Sequence, residues 1–248
     1  MKLNRFFEFV KTDLLPVKSF HLKDDLNPKV WDDFEIDDEV REDLLRIAQD
    51  FYTSTELDVD VKDIVLTGSL ANYNWSEKYS DYDLHILIDF KKVNDDVVLV
   101  KKFVDSAKNI WNKEHDITIK GYEVEVYIQD ITEEHKSTGI FSLLNNKWLI
   151  RPDKIDFEPD EKMIEEKGKS LMMLIDDLES ELDEDKYEKY KEKIKKVWDK
   201  VKDCRKSGLE SEGGEFSTGN LVFKLLRRNG YIGKIMKLKK EAYDKQFE

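Results

Sequence analysis

At 248 residues the chain has room for one domain of good size or two small ones, and 40% hydrophobic with 39% charged residues is the make-up of a soluble protein. A net charge of -13 argues against a general coat for DNA or RNA, and the single cysteine, Cys204, excludes an intrachain disulfide and fits a reducing compartment. No apolar run is long enough to span a bilayer and the opening MKLNRFFEFVKTDLLPVK is too charged for a signal peptide, so the expected setting is the cytosol and the protein is expected to be cytoplasmic, with no membrane partner.

Residues 1 to 35 read as a short helical or irregular arm. Leu3, Phe6, Phe7 and Val10 have helical spacing, and Pro16 and Pro28 interrupt it. Phe20, Trp31 and Phe34 are expected to anchor the arm to a core. An amphipathic helix follows over 37 to 52, with Val40, Leu44, Ile47, Ala48 and Phe51 on one stripe and Asp37 as its cap.

The stretch IVLTGSLANYNWSEKYSDYDLHILIDF, residues 64 to 90, carries the chemistry. A β-branched run ends at Gly68-Ser69, and after eleven residues a second extended run holds Asp81 and Asp83. On a strand, Asp81, Asp83 and His85 share one face, while Tyr82, Leu84, Ile86 and Ile88 share the other and can bury. Two like charges on one side of a strand repel unless a divalent cation sits between their oxygens. Paired magnesium ions held by carboxylates are the usual apparatus for moving a nucleoside monophosphate out of a triphosphate. Gly68 lets backbone approach phosphates closely, and Ser69 offers a hydroxyl and an amide. A helix is then expected to start within 69 to 72 with its amides toward the triphosphate. In the intervening loop Tyr73 and Trp75 either contact substrate or seal an apolar gap, and His85 is read as a histidine satisfied by a neighbouring carboxylate.

Strand, Gly-Ser, gap and Asp-x-Asp together resemble the nucleotidyltransferase superfamily, which includes DNA polymerase β, the CCA-adding enzymes, the kanamycin-type adenylyltransferases and the oligoadenylate and cyclic-dinucleotide synthases. The resemblance covers chiefly residues 60 to 130. It implies an α/β fold, a palm-like mixed sheet with flanking helices followed by a helical C-terminal domain. It also implies Mg2+, with Mn2+ as a substitute, and transfer from an NTP with release of pyrophosphate. Gly68 and Ser69 match the family's glycine turn, and Asp81 and Asp83 its first two metal ligands. A third carboxylate is expected on a later strand.

After the acid strand, residues 95 to 111 pattern as a helix with Val97, Val100, Val104, Ala107 and Trp111 inward. HDITIKGYEVEVYIQDI reads as a hairpin turning at Gly121. The resemblance places the third carboxylate on its second strand, where Glu125 lies centrally between Val124 and Val126 and is preferred to Glu123 nearer the turn. Residues 132 to 153 suit a small hairpin or an irregular crossing, and His135, Lys136, Ser137 and Thr138 are placed to line an acceptor or base pocket.

From residue 160 the pattern is helical. One helix over 160 to 179 turns Met163, Leu171, Leu174, Ile175 and Leu178 inward. A second, over 184 to 206, turns in Tyr187, Tyr190, Ile194, Val197, Trp198, Val201 and Cys204. A glycine-rich break precedes a helix capped at Ser217 or Thr218, and a last helix runs to about Tyr243. Residues 217 to 248 hold eight basic side chains against three acidic ones. The resemblance makes Ser217, Asn220, Lys224 and Arg228 candidate contacts to the nucleotide, against a solvated helix with compensating charge.

The expected organisation is a nucleotidyltransferase α/β domain over 1-155 and a helical domain over 156-248 closing its cleft. The expected activity moves a nucleoside monophosphate, from ATP by default, to an acceptor hydroxyl on a small molecule, an RNA end, another nucleotide or a protein. Asp81, Asp83 and Glu125 hold the metal and serve as the catalytic set, and Gly68, Ser69, Ser217, Asn220, Lys224 and Arg228 bind the nucleotide. Two competing readings are a catalytically silent protein that binds nucleotide or a partner, and a metal-dependent phosphodiesterase, which has no need of the Gly68-Ser69 cradle. No extensive nucleic-acid surface, repeat, zinc cluster, Ser-His-Asp set or Walker sequence is present.

Overall fold

The computed structural model describes residues 16–134, 137–180 and 187–247. The described residues form two compact units, Leu22–Asp156 and a helical unit made of those from Phe157 onward together with residues 16–21. The border thus falls between Asp156 and Phe157. The segment before Leu22 groups with the helices because Val17 and Phe20 are buried among Ile164, Leu171, Leu221 and Leu225. The helical spacing noted at Leu3 to Val10 lies outside the described residues.

The first unit opens with a two-stranded ribbon, β1 (Trp31–Asp32) and β2 (Glu35–Ile36). Trp31 stacks on Trp148 with ring centroids 4.5 Å apart and donates its indole N–H to the Leu70 carbonyl at 2.7 Å, so the arm is anchored as an aromatic plug. Helix α1 (Asp38–Ser54) follows, and Asp37 caps it by accepting the Val40 N–H at 3.0 Å.

The main sheet contains β3 (Val61–Thr67), β4 (Tyr82–Ile88), β5 (Thr118–Ile119), β6 (Tyr122–Asp130), β7 (Ile140–Ser142) and β8 (Lys147–Ile150) in the order β5-β6-β4-β3-β7-β8. β4 and β6 run parallel and the other neighbours antiparallel, so the sheet is mixed. The crossover from β4 to β6 is made by α2 (Phe90–Val93) and α3 (Val97–Glu114). Such a parallel pair needs a connection of this kind.

The alternation in β4 explains the layering. Tyr82, Leu84, Ile86 and Ile88 are all fully buried, against a core that includes Val40, Leu44 and Phe51 of α1 and Val100 and Val104 of α3. Burying each of these aliphatic side chains contributes about 2 kcal/mol. Both helices therefore cover the apolar face, and the face with Asp83 and His85 is left half-buried and polar. At the start of α3, Val97 is exposed instead of inward, since the buried stripe begins at Val100. The free edge of β6 at Val126 is closed by Asn112 of α3, whose side-chain amide donates to the Val126 carbonyl and accepts its N–H, at 3.3 and 3.2 Å.

Two sequence expectations resolve into definite hairpins. β5 and β6 join through Lys120 and Gly121, both at positive φ, as a two-residue primed turn requires. β7 and β8 pair around Asn145 and Asn146, the latter also at positive φ.

At the far end of β6 the buried Asp130 ties the sheet to α2. It accepts the Phe90 N–H at 2.7 Å and the Thr132 N–H at 2.8 Å, and the Thr132 hydroxyl also donates to it. Burial by itself raises this carboxyl, but the Thr132 and Phe90 hydrogen bonds outweigh it and hold the pKa below the usual carboxylate value. A lowered folded pKa stabilises the fold in full above the ordinary value of 3.8, and that stabilisation fades as pH falls through the folded value. Asp130→Asn is therefore expected to cost about 1–3 kcal/mol at pH 7. The variant's stability, measured by urea unfolding at pH 7 and pH 3, should fall less on acidification than that of the parent.

The helical unit consists of α4 (Glu161–Ser180), α5 (Tyr187–Glu210), α6 (Thr218–Arg228) and α7 (Tyr231–Asp244). Its stripe on α4 is Ile164, Leu171, Met172, Ile175 and Leu178, and Met163 is exposed, one residue out of phase with that stripe. Cys204 is half-buried among apolar neighbours and faces the Gly219 carbonyl at 3.8 Å, as a packing thiol does. α5 and α6 meet backbone to backbone. A Cβ on Gly219 would lie 2.2 Å from the Cys204 carbonyl oxygen, whereas one on Gly233 of α7 meets open space. Gly219→Ala is expected to lose about 1–3 kcal/mol by overpacking. Gly233→Ala is expected to gain about 0.5–1 kcal/mol from helix propensity, and paired urea midpoints check both signs.

Candidate active site

The register of the sheet assembles the site. On β4, Asp83 lies directly opposite Thr67 of β3 on one side and Glu125 of β6 on the other. The next two rungs on the same face pair His85 with Tyr127 and Leu87 with Gln129. Asp81 precedes β4 by one residue, and its charge together with those of Asp83 and Glu125 acts on the Tyr127 phenol. That phenol is pushed well above the usual tyrosine value, first by burial, then by its hydrogen bond to Glu125 and by these three charges. Asp81 stands two residues before Asp83 in the chain, and β-pairing sets Glu125, not Glu123, beside Asp83. Glu123 faces Thr118 in the hairpin and is exposed.

Gly68 is required here for two reasons. Its φ is +76°, and a Cβ on it would stand 1.8 Å from an Asp83 carboxylate oxygen. The bare Cα is thus the floor beneath the Asp83 carboxylate. The Gly68 N–H donates to the Ser137 hydroxyl at 3.4 Å, and that hydroxyl donates to the Gly139 carbonyl at 2.8 Å. Ser69 spends its hydroxyl locally, 2.7 Å from that of Ser80, which in turn accepts the Ser76 N–H at 2.8 Å. Because Ser80 immediately precedes Asp81, this contact closes the loop that delivers the acids.

The expected helix after the glycine is only one 3-10 turn, Ser69–Ala71. It stops because Asn72 is extended, its side-chain oxygen accepting the Tyr73 N–H and its amide donating to Thr138. Tyr73 is buried in the core, and Trp75 donates to the Asp25 carbonyl at 2.9 Å beneath Lys23, so both seal the loop. His85 stacks on Tyr127, centroids 4.7 Å apart and 13° from parallel, with Nδ1 2.8 Å from the Gln129 amide oxygen. A cavity of about 270 Å³ opens on the same face, lined by Thr67, His85, Lys101, Tyr127, Gln129 and Ser137. Residues 135 and 136, named with Ser137 as pocket candidates, lie outside the described residues.

The remaining nucleotide candidates lie on or at the start of α6 in the helical unit. Ser217 caps that helix, accepting the Asn220 N–H at 3.3 Å, and the buried Asn220 donates to the Glu215 carbonyl at 2.7 Å. Arg228 donates to the Ser19 hydroxyl at 2.6 Å and lies over the Phe20 ring, and Lys224 is half-buried. A larger apolar groove of about 680 Å³ between α5 and α7 is lined by Ile194, Trp198, Met236 and Tyr243 and by none of the site candidates.

Tyr127, which donates to Glu125, is a neighbour of the site that the sequence reading does not single out. Its position two residues past Glu125, on the same face, was the available signal. Ser80, the residue before Asp81, was a second.

The donor set fits a divalent cation in kind, since carboxylate oxygens suit Mg2+ or Mn2+, and in register, since Asp83 and Glu125 are adjacent over a bare glycine floor. Among the described residues no three His, Cys, Asp or Glu side chains are drawn together closely enough to form a ligand shell.

Antiparallel strands joined through Gly-Ser, a parallel neighbour bearing Glu125, helices on one face and a helical region after the sheet give the mixed sheet with flanking helices that the sequence led us to expect. No protein-family model matches the chain, and no curated protein matches it. Among solved structures it is similar to the STING-associated CdnE c-di-GMP synthase from Capnocytophaga granulosa, at 12% identity over 85% of this chain and 84% of that one, with a TM-score of 0.22. No described helix is long and apolar enough to cross a membrane.

Proposed function

We propose that the protein is a metal-dependent nucleotidyltransferase, transferring a nucleoside monophosphate from an NTP, ATP by default, to an acceptor hydroxyl with release of pyrophosphate. The observation that carries this reading is the lateral pairing of Asp83 with Glu125 above the bare Cα of Gly68. Adjacent like charges weaken a sheet, and a fold keeps them where a cation-dependent task needs them.

In this reading Asp81, Asp83 and Glu125 would hold Mg2+ or Mn2+. When bound, the metal supplies charge neutralisation for the triphosphate and the departing pyrophosphate and eases ionisation of the acceptor hydroxyl. Gly68 keeps side-chain bulk away from the phosphates. Ser69, whose hydroxyl is committed to Ser80, contributes its backbone amide. Glu125, on β6 beside Asp83, takes the acceptor's proton. Nucleotide contact by Ser217, Asn220, Lys224 and Arg228 is proposed on the sequence resemblance alone. The acceptor belongs to one of the hydroxyl-bearing classes given above, and a cytoplasmic setting is proposed from composition.

The test is incubation with each α-labelled NTP, magnesium or manganese, and fractionated cell extract. Label transfer with stoichiometric pyrophosphate release, absent from the Asp81→Asn/Asp83→Asn double variant, supports the assignment. Transfer that persists in the double variant means the metal site is wrong. Nucleotide binding without turnover identifies the silent nucleotide-binding protein instead.

A further inference from the structure

We propose that Tyr127 is a positioning residue that restrains the Glu125 carboxylate ahead of metal binding. This rests on the nucleotidyltransferase reading and goes one residue beyond it. The Tyr127 hydroxyl donates to a Glu125 carboxylate oxygen, from two residues along the same face of β6. The ring that carries this hydroxyl is itself fixed. It stacks on His85, its partner across the parallel pair, and Lys108 sits over it with Nζ 4.8 Å from the centroid. His85 is fixed in turn, with Nδ1 2.8 Å from the Gln129 amide oxygen, and Gln129 donates to the Glu133 carbonyl at 3.3 Å. The orientation of Glu125 is therefore set through a chain of side chains on successive rungs of the sheet.

The chemistry gives this contact a purpose. A glutamate has three rotatable bonds, and the freedom it loses on binding a cation weakens that binding unless it is restrained beforehand. Glu125 also stands beside Asp83, whose charge pushes the two carboxylates apart. A neutral hydroxyl donor on Glu125 opposes that repulsion and leaves its other oxygen available.

The experiment uses the full chain and Mn2+ alone as the probe, followed by electron paramagnetic resonance titration. It compares the parent, Tyr127→Phe, Asp83→Asn, Glu125→Gln and the Tyr127→Phe/Glu125→Gln double variant. Tyr127→Phe keeps the ring on His85 and removes only the hydroxyl, and a thermal melt confirms that it folds. Loss of a partner that orients a metal ligand weakens metal affinity by about 10–100-fold, and that is the expected effect of Tyr127→Phe. In the Glu125→Gln background the same change is expected to add nothing, because the tyrosine acts through that carboxylate. Parent-like affinity in Tyr127→Phe with loss in Asp83→Asn overturns this inference and leaves the metal site standing. Equal loss from Tyr127→Phe in both backgrounds also overturns it. Unchanged affinity in Asp83→Asn overturns the metal site itself, and this inference with it.

Discussion

Gly68→Ala is expected to abolish nucleotidyl transfer while costing only a few degrees of thermal stability. Two penalties meet at this residue and are separable. An L-residue at φ +76° and ψ -158°, a region kept in practice to glycine, pays about 1–3 kcal/mol of backbone strain. The added methyl would also stand 1.8 Å from the Asp83 carboxylate oxygen, so that carboxylate has to rotate away from its place beside Glu125. Gly230 shares the φ of +76° but lies at ψ 1°, in the left-handed helical region, with open space around its Cα, so a side chain there meets backbone strain and no clash. Gly230→Ala is expected to lower the melting temperature without affecting transfer. Gly68→Ala is expected to reduce label transfer at least about a hundredfold, since displacing Asp83, if it holds the metal as proposed, exceeds the 10–100-fold cost of losing a mere outer partner. Equal transfer by the two variants would show that Asp83 has no task in the reaction.

Asp83→Asn is expected to separate activity from stability in the opposite sense. The amide is nearly isosteric with the carboxylate, so the packing around Gly68 and Thr67 is preserved. Removing one of two adjacent like charges relieves about 0.2–1 kcal/mol of repulsion across the parallel pair. Urea unfolding should therefore show unchanged or slightly increased stability, and label transfer should fall at least about a hundredfold with the lost metal ligand. A sheet residue whose replacement stabilises the fold and silences the protein serves function and not folding. A clear loss of stability with activity retained would mark Asp83 as a structural acid.

Much of this was legible because local chemistry leaves strong marks. Asp37 before an apolar stripe at helical spacing became the cap of α1, and the Gly121 turn became the β5–β6 hairpin. Burial on β4 follows its alternation residue by residue, which put Asp83 on the polar face before any coordinates. Phase errors arose where an extra apolar residue flanks a stripe, as Met163 does beside Ile164. The helix expected after Gly68 failed for another reason. Asn72 competes with helical hydrogen bonding through its own side chain, and its partner Thr138 is distant in sequence.

The sequence by itself determined most of the elements and the faces on which Asp83 and Glu125 lie, because alternation, caps and turn residues act within a few positions of one another. Only the tertiary structure decided that Glu125 stands beside Asp83, that Gly68 forms the floor beneath its carboxylate, and that Tyr127 braces Glu125. It also decided that the residues just before Leu22 pack with the helices, through Val17 and Phe20. These are matters of register and long-range packing. They are fixed by which strands pair and which surfaces bury each other, and no local pattern along the chain encodes that choice.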